Sequence, residues 1–294
     1  MDFIDPHLHF FALSQGMYNW LQPNNPPFWS DKHTICRDFG EADLRINAPL
    51  KLAAYVHVEA GFDNENSLAE AEFWLKKAGL PLSTIITVNL NSPPDRFRKT
   101  ISEALVVNQG QPSAISGVRH ILDEQAASIL SHPNTRENFK LLCETGLIFE
   151  LQMDFADAKS FSALSQVLND YPSIHLSINH AGSINWQQNI RHINNWRHNM
   201  REVSNIKQCF VKVSGFEMQN RSYSDDDVKR VIDETLNVVG EDKTMMASNF
   251  PLVLLSKPYD TYWQAILQNL RAMGLSTSDL MYNNAARCYA FAKM

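Results

Sequence analysis

Eight short runs of apolar, β-prone residues recur along the chain: Phe3–His9, Leu52–Glu59, Ser83–Leu90, Ile115–Ile121, Leu147–Met153, His175–His180, Cys209–Ser214 and Thr244–Phe250. Most are followed by a segment in which apolar positions return every three or four residues, namely Ser67–Ala78, Asp95–Val107, Thr135–Glu144, Ala158–Leu168, Asp226–Val239 and Tyr259–Met273. That spacing lays one apolar stripe along a helix, whereas the short bounded runs suit strands. Gly79, Gly146 and Gly274 each follow a helical segment and Pro172 closes another, as helix stop signals do. Strand–helix alternation repeated eight times implies parallel strands joined by right-handed crossovers, and eight such units close a barrel. The pattern therefore predicts an α/β fold, a (β/α)8 TIM barrel. Its rival is an open doubly wound sheet, but neither GxGxxG nor GxxxxGK[ST] occurs, so dinucleotide and P-loop readings have no motif.

Two stretches break the rhythm. Ser14–Asn47 is too long for an ordinary strand-to-helix connection and carries Tyr18, Trp20, Phe28 and Trp29 among Pro23, Pro26 and Pro27. An aromatic loop of that length after the first strand is expected to form a lid or packed cap, with Tyr18–Trp29 covering part of the carboxyl mouth. Asn185–Asn205, polar and helical with Trp186 and Trp196, reads as an enlarged strand–helix unit over the same rim. No longer repeat, low-complexity segment or linker interrupts the chain, so residues 1–294 are expected to form one barrel domain.

Composition narrows the function without choosing it. Hydrophobic residues make up 44% and charged residues 20%, a balance that buries a large core and argues against disorder. The net charge of -6 comes with no Lys/Arg block, so no footprint for nucleic acid or an anionic membrane is present and a small-molecule partner is expected. Cys36, Cys143, Cys209 and Cys288 are widely spaced without a CxxC pair, which suits reduced thiols. Asp2, Asp5, His7 and His9 stand where a signal peptide would be apolar, and no long apolar window follows; the expected location is the cytoplasm.

Candidate chemistry concentrates where the runs end. In Asp5-Pro6-His7-Leu8-His9, residues two apart on an extended strand project to one face, so His7 and His9 can converge on one ion or one substrate. An HxH pair is a common accident, but strand ends are where barrel sites form. His180 ends the sixth run and Asn249 the eighth. The other strand ends bring His57 and Glu59, Arg119 and His120, Glu150 and Gln152, and Lys212 with Ser214.

In order along the chain, Ile4-Asp5-Pro6-His7-Leu8-His9, Val56-His57-Val58-Glu59-Ala60, Gly117-Val118-Arg119-His120, Leu151-Gln152, Asn179-His180-Ala181-Gly182, Lys212-Val213-Ser214-Gly215, Ser248-Asn249-Phe250-Pro251 and Asn284-Ala285-Ala286-Arg287 resemble the amidohydrolase-2 family of metal-dependent hydrolases. The likeness is greatest to its fuconolactonase-like and 2-pyrone-4,6-dicarboxylate lactonase-like branch. The resemblance implies hydrolysis of a small lactone or related cyclic ester of a sugar acid or dicarboxylate. It implies either one divalent metal, zinc foremost, on His7, His9 and His180, or no metal at all. It places His180, Asn249 and Glu59 in catalysis, and His57, Arg119, His120, Gln152 and Lys212 around the substrate; Arg119 and Lys212 suit a substrate carboxylate. Asn249 departs from the family pattern, which has an aspartate base there, and a carboxamide has no basic site near neutral pH. Three explanations follow: another group, Glu59, His57 or His180, is the base; Asn249 orients a metal-bound hydroxide; or the barrel binds a ligand without turnover. A decarboxylase, the chemistry of a neighbouring branch, is a further alternative.

Overall fold

The computed structural model describes residues 1–111 and 113–291. Eight strands run parallel and pair in sequence order: β1 (Asp2–Leu8), β2 (Lys51–Val58), β3 (Leu82–Thr87), β4 (Ile115–Ile121), β5 (Ile148–Gln152), β6 (His175–Ile178), β7 (Cys209–Val213) and β8 (Thr244–Met246). The sheet closes on itself just past the last strand. Leu8 bridges Phe250, the His9 amide donates to the Phe250 carbonyl at 2.6 Å, and the Asn249 amide donates to the His7 carbonyl at 2.9 Å. This is the (β/α)8 barrel that the alternation predicts, and closure excludes the open doubly wound sheet.

Two apolar layers hold it. Inside the barrel, Ile4, Ala54, Val56, Val58, Ile85, Ile148 and Met245 pack together, and Ala285 and Ala286 from the last helix, with Tyr289 just after it, plug the amino-terminal end. A larger layer fills the space between strands and helices, with Trp196 and Trp263 wholly buried in it. At about 25 cal/mol per Å2 of apolar surface removed from water, each such side chain contributes a few kcal/mol, which is why this layer fixes the strand faces. Helix starts are locally encoded: Asp157 accepts from the Lys159 and Ser160 amides, and Ser224 with Asp227 forms a reciprocal capping box. No helix among the described residues is long and apolar enough to cross a membrane.

The chain after β1 folds back over the carboxyl mouth. Trp20 donates its indole N–H to the Ala60 carbonyl at 2.7 Å, and Lys32 donates to the Gln22 and Asn25 carbonyls at 2.9 and 2.8 Å. Arg221 from the β7 side lies 5.2 Å from the Trp29 ring and bonds Asp31 at 2.7 Å. The aromatic loop is thus a pinned cap over the mouth. Its Trp20, Pro27 and Trp29 form part of the cavity wall, while Tyr18 is buried against Phe11 and Phe62.

Candidate active site

β6 and β8 stop short of His180 and Asn249, because the turns that carry these two residues are held in conformations a strand cannot adopt. His180 (φ 52°), Ala181 (φ 50°), Gly182 (φ 62°) and Ser183 (φ 57°) form a left-handed turn after β6, and Asn249 after β8 is also left-handed (φ 60°). A non-glycine residue there costs on the order of 1–2 kcal/mol, so the packing must impose it. The Trp196 indole donates to the Ala181 carbonyl at 2.8 Å, and the Phe155 amide donates to the Gly182 carbonyl at 3.1 Å. Gly215 makes room for the imidazole: a Cβ there would stand 2.7 Å from His180 Nδ1.

Three imidazoles meet at the barrel mouth. The His7 ring lies 5.0 Å from that of His9 and 4.8 Å from that of His180, centroid to centroid. His9 Nδ1 bonds the Val58 carbonyl at 2.7 Å, and His180 Nδ1 is 2.9 Å from Ser214 Oγ. Burial, then the positive charges of Lys212 and Arg119, hold His7 and His9 well below their ordinary range. The same causes, burial first, lower His180 to about 3. All three are neutral imidazoles at physiological pH.

Beneath them lies a fully buried polar group. Lys212 donates to Glu150 Oε2 at 2.7 Å and reaches His7 Nδ1 at 3.2 Å, and the Tyr289 hydroxyl donates to Glu150 Oε1 at 2.5 Å. Lys212 and Glu150 are wholly buried, so this ammonium is not in the cavity wall and meets no substrate carboxylate directly.

The wall itself belongs to Glu59 and Arg119. Arg119 donates from Nε to Glu59 Oε1 and from Nη2 to the Glu59 carbonyl, both at 2.7 Å, and from Nη1 to Gln152 Oε1 at 3.3 Å. Gln152 in turn donates to Asp123 at 3.3 Å. His9, Glu59, Arg119, His120, Gln152, His180 and Asn249 all line one cavity of about 790 Å3 at the carboxyl end, within the size range of small-molecule sites.

His57 and Lys212 are the two expected substrate contacts that the structure keeps away from that cavity. His57 points to the helical layer, where its ring packs 5.6 Å from Phe10 and 5.8 Å from Trp74. It alternates with Val56 and Val58, which face the barrel interior, so the period of two along β2 places it outside. Burial lowers it to about 3 and lifts its neighbour Glu70 to about 8, leaving both neutral 3.7 Å apart.

Sequence reasoning missed Glu217. It is 1% exposed, and its Oε1 accepts from Asn249 Nδ2 at 2.6 Å. Its other oxygen is buried without a partner, and burial pushes its carboxyl up to about 7. The available signal was an acid two residues past Ser214-Gly215 inside Phe216-Glu217-Met218, where an uncompensated charge needs a reason.

A metal held by His7, His9 and His180 through Nε2 would require each Nδ1 to carry its proton and give it to an acceptor. The Val58 carbonyl fits that need at His9. At His7 the neighbour is the Lys212 ammonium, which only donates. With Asn249 supplying an amide in place of an anionic oxygen, the residues present do not fit a three-histidine ion site. Among the described residues no three His, Cys, Asp or Glu side chains are grouped to hold an ion.

A barrel with polar groups gathered at its carboxyl mouth defines a class of (β/α)8 enzyme-like folds. More specifically, the chain belongs to the amidohydrolase family, whose model matches residues 4–291. It is 27% identical to the uncharacterized protein y4mH of Sinorhizobium fredii over 97% of both chains. Its fold is similar to that of an amidohydrolase from Burkholderia multivorans crystallised with zinc (TM-score 0.77, 20% identity, 99% of this chain and 100% of that one). It is also similar in fold to a probable 2-pyrone-4,6-dicarboxylic acid hydrolase from Acinetobacter baumannii with citric acid bound (TM-score 0.68, 16% identity, 99% and 100%).

Proposed function

We propose that the protein is a hydrolase that opens a small, neutral, polyhydroxylated lactone, with Glu59 as general base. The observation that carries this reading is the convergence of Glu59, Arg119, His9, His180 and Asn249 on one cavity at the carboxyl mouth of an amidohydrolase barrel.

Charge balance favours a neutral ligand over a dicarboxylate. The cavity wall holds three carboxylates, Glu59, Asp123 and Asp154, against one guanidinium, Arg119, and that guanidinium is already paired with Glu59. A dianionic substrate would enter against this field with no free cation among the described wall residues to receive it. The flat faces of Trp20 and Trp29, with amides such as Asn64, Asn185 and Gln188, suit a compact ring bearing several hydroxyls.

In this reading Glu59 accepts a proton from water as its oxygen attacks the lactone carbonyl. The ring C–O bond then breaks, and the proton returns from the Glu59 carboxyl to the departing alkoxide. Arg119 fixes Oε1 and leaves Oε2 to take the proton. His180, held near 3 by burial, is too weak a base for this task and serves as a hydrogen-bonding group. Asn249 cannot accept the proton, and His57 is outside the cavity. The zinc of the Burkholderia relative is not carried over, because His7 is paired with an ammonium here. Glu59→Gln keeps an oxygen for Arg119 but removes the base, so kcat should fall by about 10²–10⁴-fold with little change in KM. An unchanged kcat would place the base elsewhere; a wild type inert on every lactone while still binding one would favour a non-catalytic barrel.

A further inference from the structure

A lysine ammonium buried beside one of three clustered histidines is chemically informative, because it can donate a hydrogen bond and never accept one. Lys212 is wholly buried and held from behind. Glu150 Oε2 accepts from it at 2.7 Å, Glu150 Oε1 accepts from the Tyr289 hydroxyl at 2.5 Å, and Ser177 Oγ lies 2.9 Å from that hydroxyl. The Tyr289 ring also stands 5.3 Å from the ammonium. Glu150, Ser177 and Lys212 come from β5, β6 and β7, and Tyr289 directly follows the last helix, so the cation is fixed by the barrel itself. Its remaining neighbour is His7 Nδ1, at 3.2 Å.

We infer that Lys212 is a resident cation that locks His7 as the Nε2–H tautomer, withdrawing it from metal ligation and making it a neutral hydrogen-bond donor. A nitrogen that accepts from an ammonium bears no proton, so in a neutral imidazole the proton is on the other nitrogen. A histidine that ligates through Nε2 has the reverse wiring, with Nδ1–H given to a carbonyl or carboxylate. The two arrangements stand side by side: His9 Nδ1 faces the Val58 carbonyl, His7 Nδ1 faces Lys212. His7 Nε2 is buried and unpartnered next to the rings of His9 and His180, both in the cavity wall. The inference rests on the hydrolytic reading of the same cavity, where His9 and His180 stand in the wall and His7 lies buried behind them. It is tested without turnover, so either can fail alone.

The test is the tautomer, read by two-bond 1H–15N correlation on 15N-histidine-labelled protein at neutral pH, with His7→Asn used to assign the signal. The expected result is His7 protonated on Nε2 and His9 protonated on Nδ1. His7 protonated on Nδ1 overturns the inference. Zinc alone, titrated against a chromophoric chelator, supplies a second readout. Lys212→Gln offers His7 an amide oxygen as acceptor, so zinc should bind this variant about 10–100-fold more tightly than wild type, the usual effect of a ligand's hydrogen-bond partner. Equal affinities for the two proteins overturn it. Should Lys212→Gln fail to fold with Glu150 unpaired, Lys212→Gln/Glu150→Gln takes its place in the titration, and the wild-type tautomer decides by itself.

Discussion

Asn249 donates an amide hydrogen to Glu217, and that bond decides what a carboxylate at position 249 would do. Asn249→Asp sets two carboxyl oxygens at the 2.6 Å separation now spanned by an N–H bond, so the pair must share a proton. The variant is expected to be less stable at pH 8 than at pH 5 and to hydrolyse lactones no faster than wild type. Asn249→Asp/Glu217→Gln, which restores a donor, should recover stability. Urea titrations of the three proteins at both pH values check this, and a rise in kcat for Asn249→Asp alone would make position 249 the missing base. Glu217 itself carries a pH signature. Its carboxyl is raised from 4.5 to about 7 by burial, so between those values the folded chain keeps a proton that the unfolded chain has lost. Its contribution is complete below pH 4.5 and disappears as pH rises through about 7. Glu217→Gln should therefore stabilise the protein by roughly 3 kcal/mol at pH 8 and by little at pH 4.5, at 1.36 kcal/mol per pKa unit. Equal gains at both would show that the carboxyl is not shifted.

At the scale of elements, the turn after β6 and the turn after β7 are fitted to each other. Gly215→Ala is expected to push the His180 ring off Ser214, since the added methyl would approach Nδ1 to 2.7 Å at a left-handed φ of 76°. Activity should fall by at least about tenfold while the far-UV spectrum stays that of the wild type, because a displacement of about 1 Å in a positioned group is costly. Unaltered kcat/KM would mean that His180 has no part in the reaction. Most elements were legible in the sequence: β4 matches at both ends, and the helices after β3, β5 and β7 begin within two residues of the expected positions. The expected sixth and eighth strands ran long, as at Thr244–Phe250 against Thr244–Met246, because an apolar run does not reveal the left-handed turn that ends pairing. The candidate residues on strand ends were legible for the same reason that barrels place sites there. His57 was misplaced because a period of two tells which residues share a face, not which face is inward. The Lys212–Glu150–Tyr289 group and the Glu217–Asn249 pair were not legible, since their partners are separated by 32 to 139 residues and only barrel closure brings them together.

The whole molecule sets the field that the substrate meets. A closed barrel buries Lys212 and Glu150 as a pair under the floor, and the pinned aromatic cap narrows the mouth, so the charge felt in the cavity comes from its wall. Three carboxylates and one already paired guanidinium make that wall unsuited to a dianion. The most direct test is a pH-indicator assay of the purified wild-type protein on two matched panels, neutral sugar lactones and carboxylated lactones, reported as kcat/KM. The account predicts hydrolysis of at least one neutral lactone, with kcat/KM at least about tenfold above that for any dicarboxylated lactone, a difference of about 1.4 kcal/mol in transition-state binding. Preference for a dicarboxylated lactone, or binding of lactones with no hydrolysis of any, would contradict it.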